Sequence, residues 1–159
     1  IVSNLVSAFH RGLTSQGVIS CAKHFPGHGD TGVDSHLELP LLEHDLDRLE
    51  EIELIPFQSL IAQGVSSIMS GHLLLDKIDP NYPATVSKLL MNNLLRKKLG
   101  FEGLIVTDAL VMNAISQNYG VGEAAVLAFE AGADLIMMPE CADTAINSIC
   151  EALISVRNR

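Results

Sequence analysis

The stretch GLIVTD, residues 103–108, ends a continuous apolar run with a carboxylate. Continuous rather than alternating hydrophobicity is typical of strands that are covered on both faces. Three further short runs share this character: Gly17–Ala22, Ser67–Ser70 with its flanks, and Asp134–Met138. The pattern predicts four parallel strands, the third of them closed by Asp108.

Helical signals lie before and between these runs. Ser87 is a suitable N-cap for one helix, and Gly100 and Gly132 follow two helices in the way that C-terminal glycines do. The alternation of the two patterns predicts right-handed βα units in one α/β domain, residues 1–159. The predicted helices are residues 1–11, Asp45–Gly64 with an interruption or restart at Pro56, Lys88–Leu99, Gly122–Ala131 and Cys141–Val156.

The length of the chain limits the architecture. A closed (β/α)8 barrel needs about 250 residues, and this chain has 159. Two architectures fit: a complete small α/β layer, or the C-terminal half of a TIM (β/α)8 barrel with about four strands. A half-barrel exposes a sheet edge and apolar surface, which predicts self-association or a complementing N-terminal half.

Composition narrows the class of partner. The chain is 48% hydrophobic and 18% charged, with a formal net charge of −9, which opposes binding to nucleic acid or anionic lipid. A neutral or polar small molecule fits better. No apolar run reaches the roughly 18 residues of a membrane span, and no signal-peptide pattern opens the chain. Three cysteines without metal-type spacing argue against a disulfide framework and favour a reducing, cytoplasmic compartment.

Polar residues follow the predicted strands. Lys23 and His24 close the first, His72 follows the second, and Asp108 closes the third. Because the carboxyl ends of parallel strands meet at one opening, these side chains are expected to converge. Asp108 has two interpretations, an N-cap for the segment 109–116 or a rigidly held nucleophile or base.

The loop KHFPGHGDTGVDSH, residues 23–36, is crowded with ionisable groups. Asp34 and His36 are two residues apart, so in an extended segment both side chains leave on one side. The carboxylate would fix the imidazole tautomer and favour the protonated ring, which makes His36 a tuned proton donor. His28 and Asp30 repeat the spacing.

Other interpretations of these residues stay open. The loop could be held by Asx turns at its glycines, or His28, Asp30, Asp34 and His36 could bind a metal, although their spacing matches no zinc signature. His72 fits a structural role better than a functional one. His10 and His44 are predicted to lie on helix faces and are assigned no function.

Two long motifs resemble a known family. KHFPGHGDTGVDSHLELP, residues 23–40, is similar to the signature of the bacterial glycoside hydrolase family 3 β-N-acetylglucosaminidases, and GFEGLIVTDALVMNAI, residues 100–115, is similar to their nucleophile segment. Weaker similarity continues at residues 53–61, 68–87 and 131–139. The resemblance covers residues 17–140 in collinear order and implies the last four strands of the family's barrel.

The resemblance also implies roles. Asp108 corresponds to the carboxylate nucleophile, and Asp34 and His36 to a dyad in which His36 is general acid and then general base. Lys23 and His24 correspond to groups that bind sugar hydroxyls, and His28 supports the loop. A retaining glycosidase normally uses two carboxylates about 5 Å apart, and here a histidine would replace one of them.

The implied activity is retaining, exo-acting hydrolysis of terminal β-linked N-acetylglucosamine from cell-wall muropeptides or related glycans, without cofactor or metal. Two alternatives remain. A histidine acid/base would let anionic phosphate approach the glycosyl-enzyme more easily than a carboxylate would, which makes the chain a possible phosphorylase. The sugar contacts expected from the first half of a barrel, including an arginine, are absent, which allows a noncatalytic half-barrel.

Overall fold

Three parallel strands form the sheet in a computed structural model that describes residues 1–32 and 38–157. They are β1 (Cys21–Phe25), β2 (Ser67–Ser70) and β3 (Leu104–Val106), in the spatial order β1, β2, β3. Ser67 of β2 is in register with Cys21 on one side and with Leu104 on the other. The predicted parallel α/β architecture is confirmed, while the half-barrel stays a prediction.

The bounds of the first and fourth predicted strands are wrong. β1 begins at Cys21 because its pairing partner is Ser67, and the exposed Val18 and Ile19 precede the first paired residue. Within the described chain, the fourth run makes one bridge to β3, between Leu135 and Val106. The ladder stops there because the N–H of Met137 donates to the side-chain hydroxyl of Thr107, at 2.9 Å, and not to a backbone carbonyl oxygen.

Helices follow the strands as predicted, with different ends in places. The π-helical turn Leu49–Glu53 joins α2 to α3, so the restart is at Leu54, and Pro56 is the third residue of α3. None of the helices in the described part of the chain is long and apolar enough to cross a membrane. The elements are α1 (Val2–Thr14), α2 (Leu46–Arg48), α3 (Leu54–Ala62), the 3₁₀ turn Ala84–Val86, the π-helix Leu89–Lys98, α4 (Asn113–Ser116), α5 (Val121–Ala131) and α6 (Ala142–Arg157).

The three residues predicted to lie at helix ends, Ser87, Gly100 and Gly132, are confirmed in these roles. The hydroxyl oxygen of Ser87 accepts the N–H of Leu90 at 3.2 Å, as an N-cap does. Gly100 has φ 67° and Gly132 has φ 107°. This left-handed region is costly for residues with a Cβ, so glycine ends each helix there.

The core lies on one side of the sheet. Phe25, Ile68 and Ile105 are fully buried, one from each strand. Leu104, next to Ile105 in sequence, is 52% exposed because successive side chains leave a strand on opposite faces. Among the described residues, the face that carries Leu104 is therefore covered only in part, since Val106 on that face is buried.

Helix α1 packs by its polar face. Ser7 and His10 are buried, and the Ser7 hydroxyl lies 3.1 Å from that of Ser59 in α3. The apolar positions that predicted the helix, among them Leu5 and Phe9, point to solvent, and Phe9 is 71% exposed. The helix is confirmed, but its apolar stripe is uncovered.

Candidate active site

His24 and Asp108 meet at the carboxyl ends of the strands. His24 is the fourth residue of β1, and Asp108 follows β3 after one intervening residue. Nε2 of His24 lies 3.6 Å from Oδ2 of Asp108, and their side chains are 26% and 19% exposed. The predicted convergence of these two residues is confirmed, and both remain accessible to a ligand.

The carboxylate of Asp108 is oriented by the backbone of the next residue. Its Oδ1 accepts the N–H of Ala109 at 2.8 Å. Helix α4 begins only at Asn113, with Met112 as its N-cap. The interpretation of Asp108 as a helix cap is therefore wrong. One carboxylate oxygen is bound to the backbone, and the other faces His24.

The surroundings of His24 favour its neutral form. Burial lowers the pKa of His24 below its ordinary value of 6.5, and the positive charge of Lys23 acts in the same direction. The carboxylate of Asp108 opposes this effect without cancelling it. A neutral imidazole can donate one hydrogen bond and accept another, which suits the recognition of a hydroxyl group.

His28 supports His24 from the following loop. The two imidazole rings meet edge to face, with centroids 5.6 Å apart. Nδ1 of His28 lies 3.2 Å from the hydroxyl oxygen of Thr31. These contacts place His28 beside the site and connect its ring to the side chain of Thr31 in the same loop.

The loop after β1 is also attached to the helical region that follows it. Oδ2 of Asp30 lies 3.3 Å from Nε2 of His44 and 3.6 Å from Nη2 of Arg48. Arg48 in turn donates three hydrogen bonds of 3.0–3.3 Å to the carboxylate of Glu53, which raises the pKa of Arg48. Sequence reasoning missed Arg48 and assigned no role to His44, because no short-range pattern connects them to Asp30.

Lys23 is exposed on β1 and lines a groove of about 830 Å³ together with His24 and His28. Apolar side chains of α1 and α3, including Phe9 and Phe57, form much of the rest of its wall. Asp108 is not among the described residues that line it. The groove therefore runs from the site toward α1.

Asp34 and His36 lie outside the described residues, so the geometry of the predicted dyad is not defined. The metal hypothesis depends on these two residues as well as on His28 and Asp30. Among residues 1–32 and 38–157, no three His, Cys, Asp or Glu side chains come together as a metal ion would require. Asp30 pairs instead with His44 and Arg48.

His72 is the second histidine near Asp108. It is fully buried, with Nδ1 2.8 Å from Oγ1 of Thr85 and Nε2 2.9 Å from the carbonyl oxygen of Ala109. A buried imidazole with a contact at both nitrogens fits the structural role predicted for it.

Comparison with known proteins identifies the family. The model of the glycosyl hydrolase family 3 N-terminal domain matches residues 1–157. The chain belongs to this family. A glycoside hydrolase family 3 β-N-acetylglucosaminidase from Paenibacillus sp. str. FPU-7 has 48% sequence identity and a TM-score of 0.88 over 92% of the chain.

The chain is also similar to proteins from Neisseria gonorrhoeae. A β-hexosaminidase is 39% identical over 86% of the chain. The structure of NagZ in complex with N-trifluoroacetyl-D-glucosamine has 34% identity and a TM-score of 0.80 over 94% of the chain. The chain spans 38% of that β-hexosaminidase and 29% of the Paenibacillus enzyme.

Proposed function

We propose that this chain carries the nucleophile and the acid/base group of a retaining β-N-acetylglucosaminidase. The observation that supports this most directly is the carboxylate of Asp108 at the carboxyl end of β3, with Oδ1 bound to the backbone and Oδ2 facing His24. Membership of glycosyl hydrolase family 3 fits a carboxylate nucleophile in this position.

The first chemical step forms a covalent intermediate. Oδ2 of Asp108 attacks the anomeric carbon, and the bond to the leaving oxygen breaks as His36 gives that oxygen a proton. Asp34 orients His36 and stabilises the imidazolium form that precedes the transfer. The product that leaves is an alcohol, and the sugar remains esterified to Asp108.

The second step releases the sugar. His36, now neutral, takes a proton from water as the water oxygen attacks the anomeric carbon, and the Asp108 carboxylate departs. Two inversions give net retention of the β-configuration. Lys23 and His24 bind ring hydroxyls beside Asp108, and a neutral His24 leaves Oδ2 available for attack.

We propose N-acetylglucosamine as the sugar, linked β at the non-reducing end of muropeptides or related glycans. This rests on the relatives, one of which is a β-N-acetylglucosaminidase and another of which is bound to an N-acylated glucosamine derivative. The net charge of −9 is compatible with a largely uncharged terminal sugar.

Covalent trapping tests the assignment. An activated fluoro-sugar derivative of N-acetylglucosamine should label Asp108, detected by mass spectrometry of the peptide that contains it. Asp108→Asn keeps the size of the side chain and should abolish the label. Labelling at another residue, or labelling that survives in D108N, would overturn the proposal. A folded chain that takes no label would instead support the noncatalytic half-barrel.

Product analysis distinguishes hydrolysis from phosphorolysis. Turnover in the presence of inorganic phosphate should still release free N-acetylglucosamine, because water is the acceptor in the proposed second step. A sugar 1-phosphate as the main product would assign the chain to the phosphorylases instead.

We further propose that the chain functions together with a second copy of itself or with an N-terminal half of a barrel. Within the described residues β1 pairs only with β2. The face of the sheet that lies opposite the buried Ile105 exposes Leu104 and Lys23. Such surface would be covered in a half-barrel that joins a second copy or an N-terminal half. Sedimentation velocity of the chain should show an oligomer, and a stable monodisperse monomer would contradict self-association.

A further inference from the structure

A buried hydrogen-bond network reaches the residue next to Asp108. Ser70, Thr85 and His72 are each at most 1% exposed. The Ser70 hydroxyl donates to Oγ1 of Thr85 at 3.0 Å, Oγ1 of Thr85 lies 2.8 Å from Nδ1 of His72, and Nε2 of His72 lies 2.9 Å from the carbonyl oxygen of Ala109. This hydrogen-bond network therefore ends on the residue that directly follows Asp108.

The contact with the carbonyl oxygen of Ala109 determines the tautomer of His72. A carbonyl oxygen can only accept, so Nε2 of His72 must carry a hydrogen and donate it to Ala109. Nδ1 can then accept the hydroxyl hydrogen of Thr85. Oγ1 of Thr85 also lies 3.1 Å from the carbonyl oxygen of Gly71, but the contact to the ring is the shorter one.

Both backbone groups of Ala109 are therefore engaged. Its N–H donates to Oδ1 of Asp108 at 2.8 Å, and its carbonyl oxygen accepts from His72. On the other side of Asp108, the N–H of Thr107 donates to the carbonyl oxygen of Leu135 at 3.0 Å. Asp108 thus lies between two residues whose backbones are held from different parts of the fold.

We propose that His72 is a positioning residue for Asp108. By holding the carbonyl group of Ala109 it restrains the residue whose N–H binds Oδ1, and so keeps Oδ2 turned toward the sugar site. His72 is fully buried, so the proposed effect on Asp108 is transmitted through Ala109. The inference rests on the proposed role of Asp108 as nucleophile.

Three variants separate positioning from simple packing. His72→Phe removes the donor and keeps a ring, whereas His72→Gln retains an N–H that can reach Ala109. His10→Phe is the matched control, because His10 is also buried and lies 2.6 Å from the hydroxyl of Ser20, away from Asp108. If H72F does not fold, His72→Asn takes its place, since its shorter amide reaches the Nδ1 position but not Ala109.

The first measurement does not depend on activity. Amide exchange of Ala109, followed by NMR, should be about 2- to 10-fold faster in H72F, the effect of losing one hydrogen bond. H72Q should return the rate to within about 2-fold of wild type, and H10F should leave it unchanged.

The second measurement is the rate at which the fluoro-sugar labels Asp108. H72F should slow labelling, by about 10-fold, through loss of orientation, and H72Q should restore it. Equal effects of H72F and H10F on both measurements, or no rescue by H72Q, would overturn the inference. If Ala109 responds as expected but wild type takes no label, the positioning contact stands and the proposed function fails.

Discussion

His24 and Asp108 belong to segments that do not pair with each other, yet Nε2 of His24 and Oδ2 of Asp108 are only 3.6 Å apart. β2 lies between their strands, and second-neighbour strands in a sheet are about 10 Å apart. The two side chains must therefore lean toward each other across the end of β2. This contact couples the charge of the proposed sugar-binding histidine to that of the proposed nucleophile.

The pH dependence of stability should report on His24. Its pKa is lowered in the folded state, chiefly by burial, so the unfolded chain binds a proton more readily between that lowered pKa and 6.5. Stability should therefore fall as the pH drops through this window, and the loss should be complete below the folded pKa. His24→Asn should remove that part of the pH dependence, as measured by urea denaturation at about pH 7.5 and about pH 5.

The same titration should affect trapping of Asp108. A protonated His24 would pair with Oδ2 and weaken its attack, so labelling should slow in acid. NMR should show His24 titrating below 6.5. Equal pH slopes for wild type and H24N, or titration of His24 above 6.5, would contradict this account.

Gly27 allows the loop after β1 to pack closely on the π-helical turn. Its φ is 144°, and a Cβ placed there would lie 2.7 Å from both Cβ and Cγ of Glu53. Gly27→Ala should therefore lower the free energy of unfolding by about 1–3 kcal/mol, from backbone strain and overlap.

Gly29→Ala is the matched control for Gly27→Ala. It lies in the same loop, and a Cβ there meets nothing within 4 Å. The measurement is urea denaturation of both variants. Equal stability of G27A and G29A would show that the contact between Gly27 and Glu53 does not form in solution.

The sequence allowed β3 and Asp108 to be predicted, because an apolar run closed by a carboxylate gives both the strand and the end at which the side chain emerges. β1 was placed four residues too early, since its start depends on pairing with Ser67, which is far away in sequence. The apolar stripe of α1 predicted the helix but not its orientation, because polar contacts to α3 determine which face is buried.

The candidate site shows the same division. His24 and Asp108 were predicted to meet, because both lie at the carboxyl ends of predicted parallel strands. Arg48 was not predicted, since its contact with Asp30 arises only when the helical region folds back on the loop. The place of Asp34 and His36 relative to Asp108 stays a prediction.

The two faces of β3 should respond differently to truncation. Ile105→Ala removes a fully buried side chain and should cost about 2–5 kcal/mol in urea denaturation. Leu104→Ala alters an exposed position and should change stability by less than about 0.5 kcal/mol. A large loss in L104A that depends on protein concentration would instead show that a second copy covers this face.

Arg48 should restrain the loop that leads from β1 to Asp34. Its guanidinium is held by Glu53 and lies 3.6 Å from Oδ2 of Asp30. Arg48→Met keeps much of the length of the side chain but removes the charge and the donors. Because partly exposed ion pairs contribute little, amide exchange of residues 29–32 should rise only about 2- to 5-fold in hydrogen-exchange mass spectrometry.

Arg11→Met is the control for Arg48→Met, because Arg11 donates to the side chain of Gln63 at 3.0 Å, away from the loop. Asp30→Asn should reproduce the effect of R48M, since it removes the charge from the other partner. In a double variant the two effects should be less than additive, because both changes remove the interaction between Asp30 and Arg48. Fully additive effects, or equal exchange in R48M and R11M, would mean that the pair between Asp30 and Arg48 does not hold the loop, and that its attachment depends on the contact of Asp30 with His44 and on the close approach of Gly27 to Glu53.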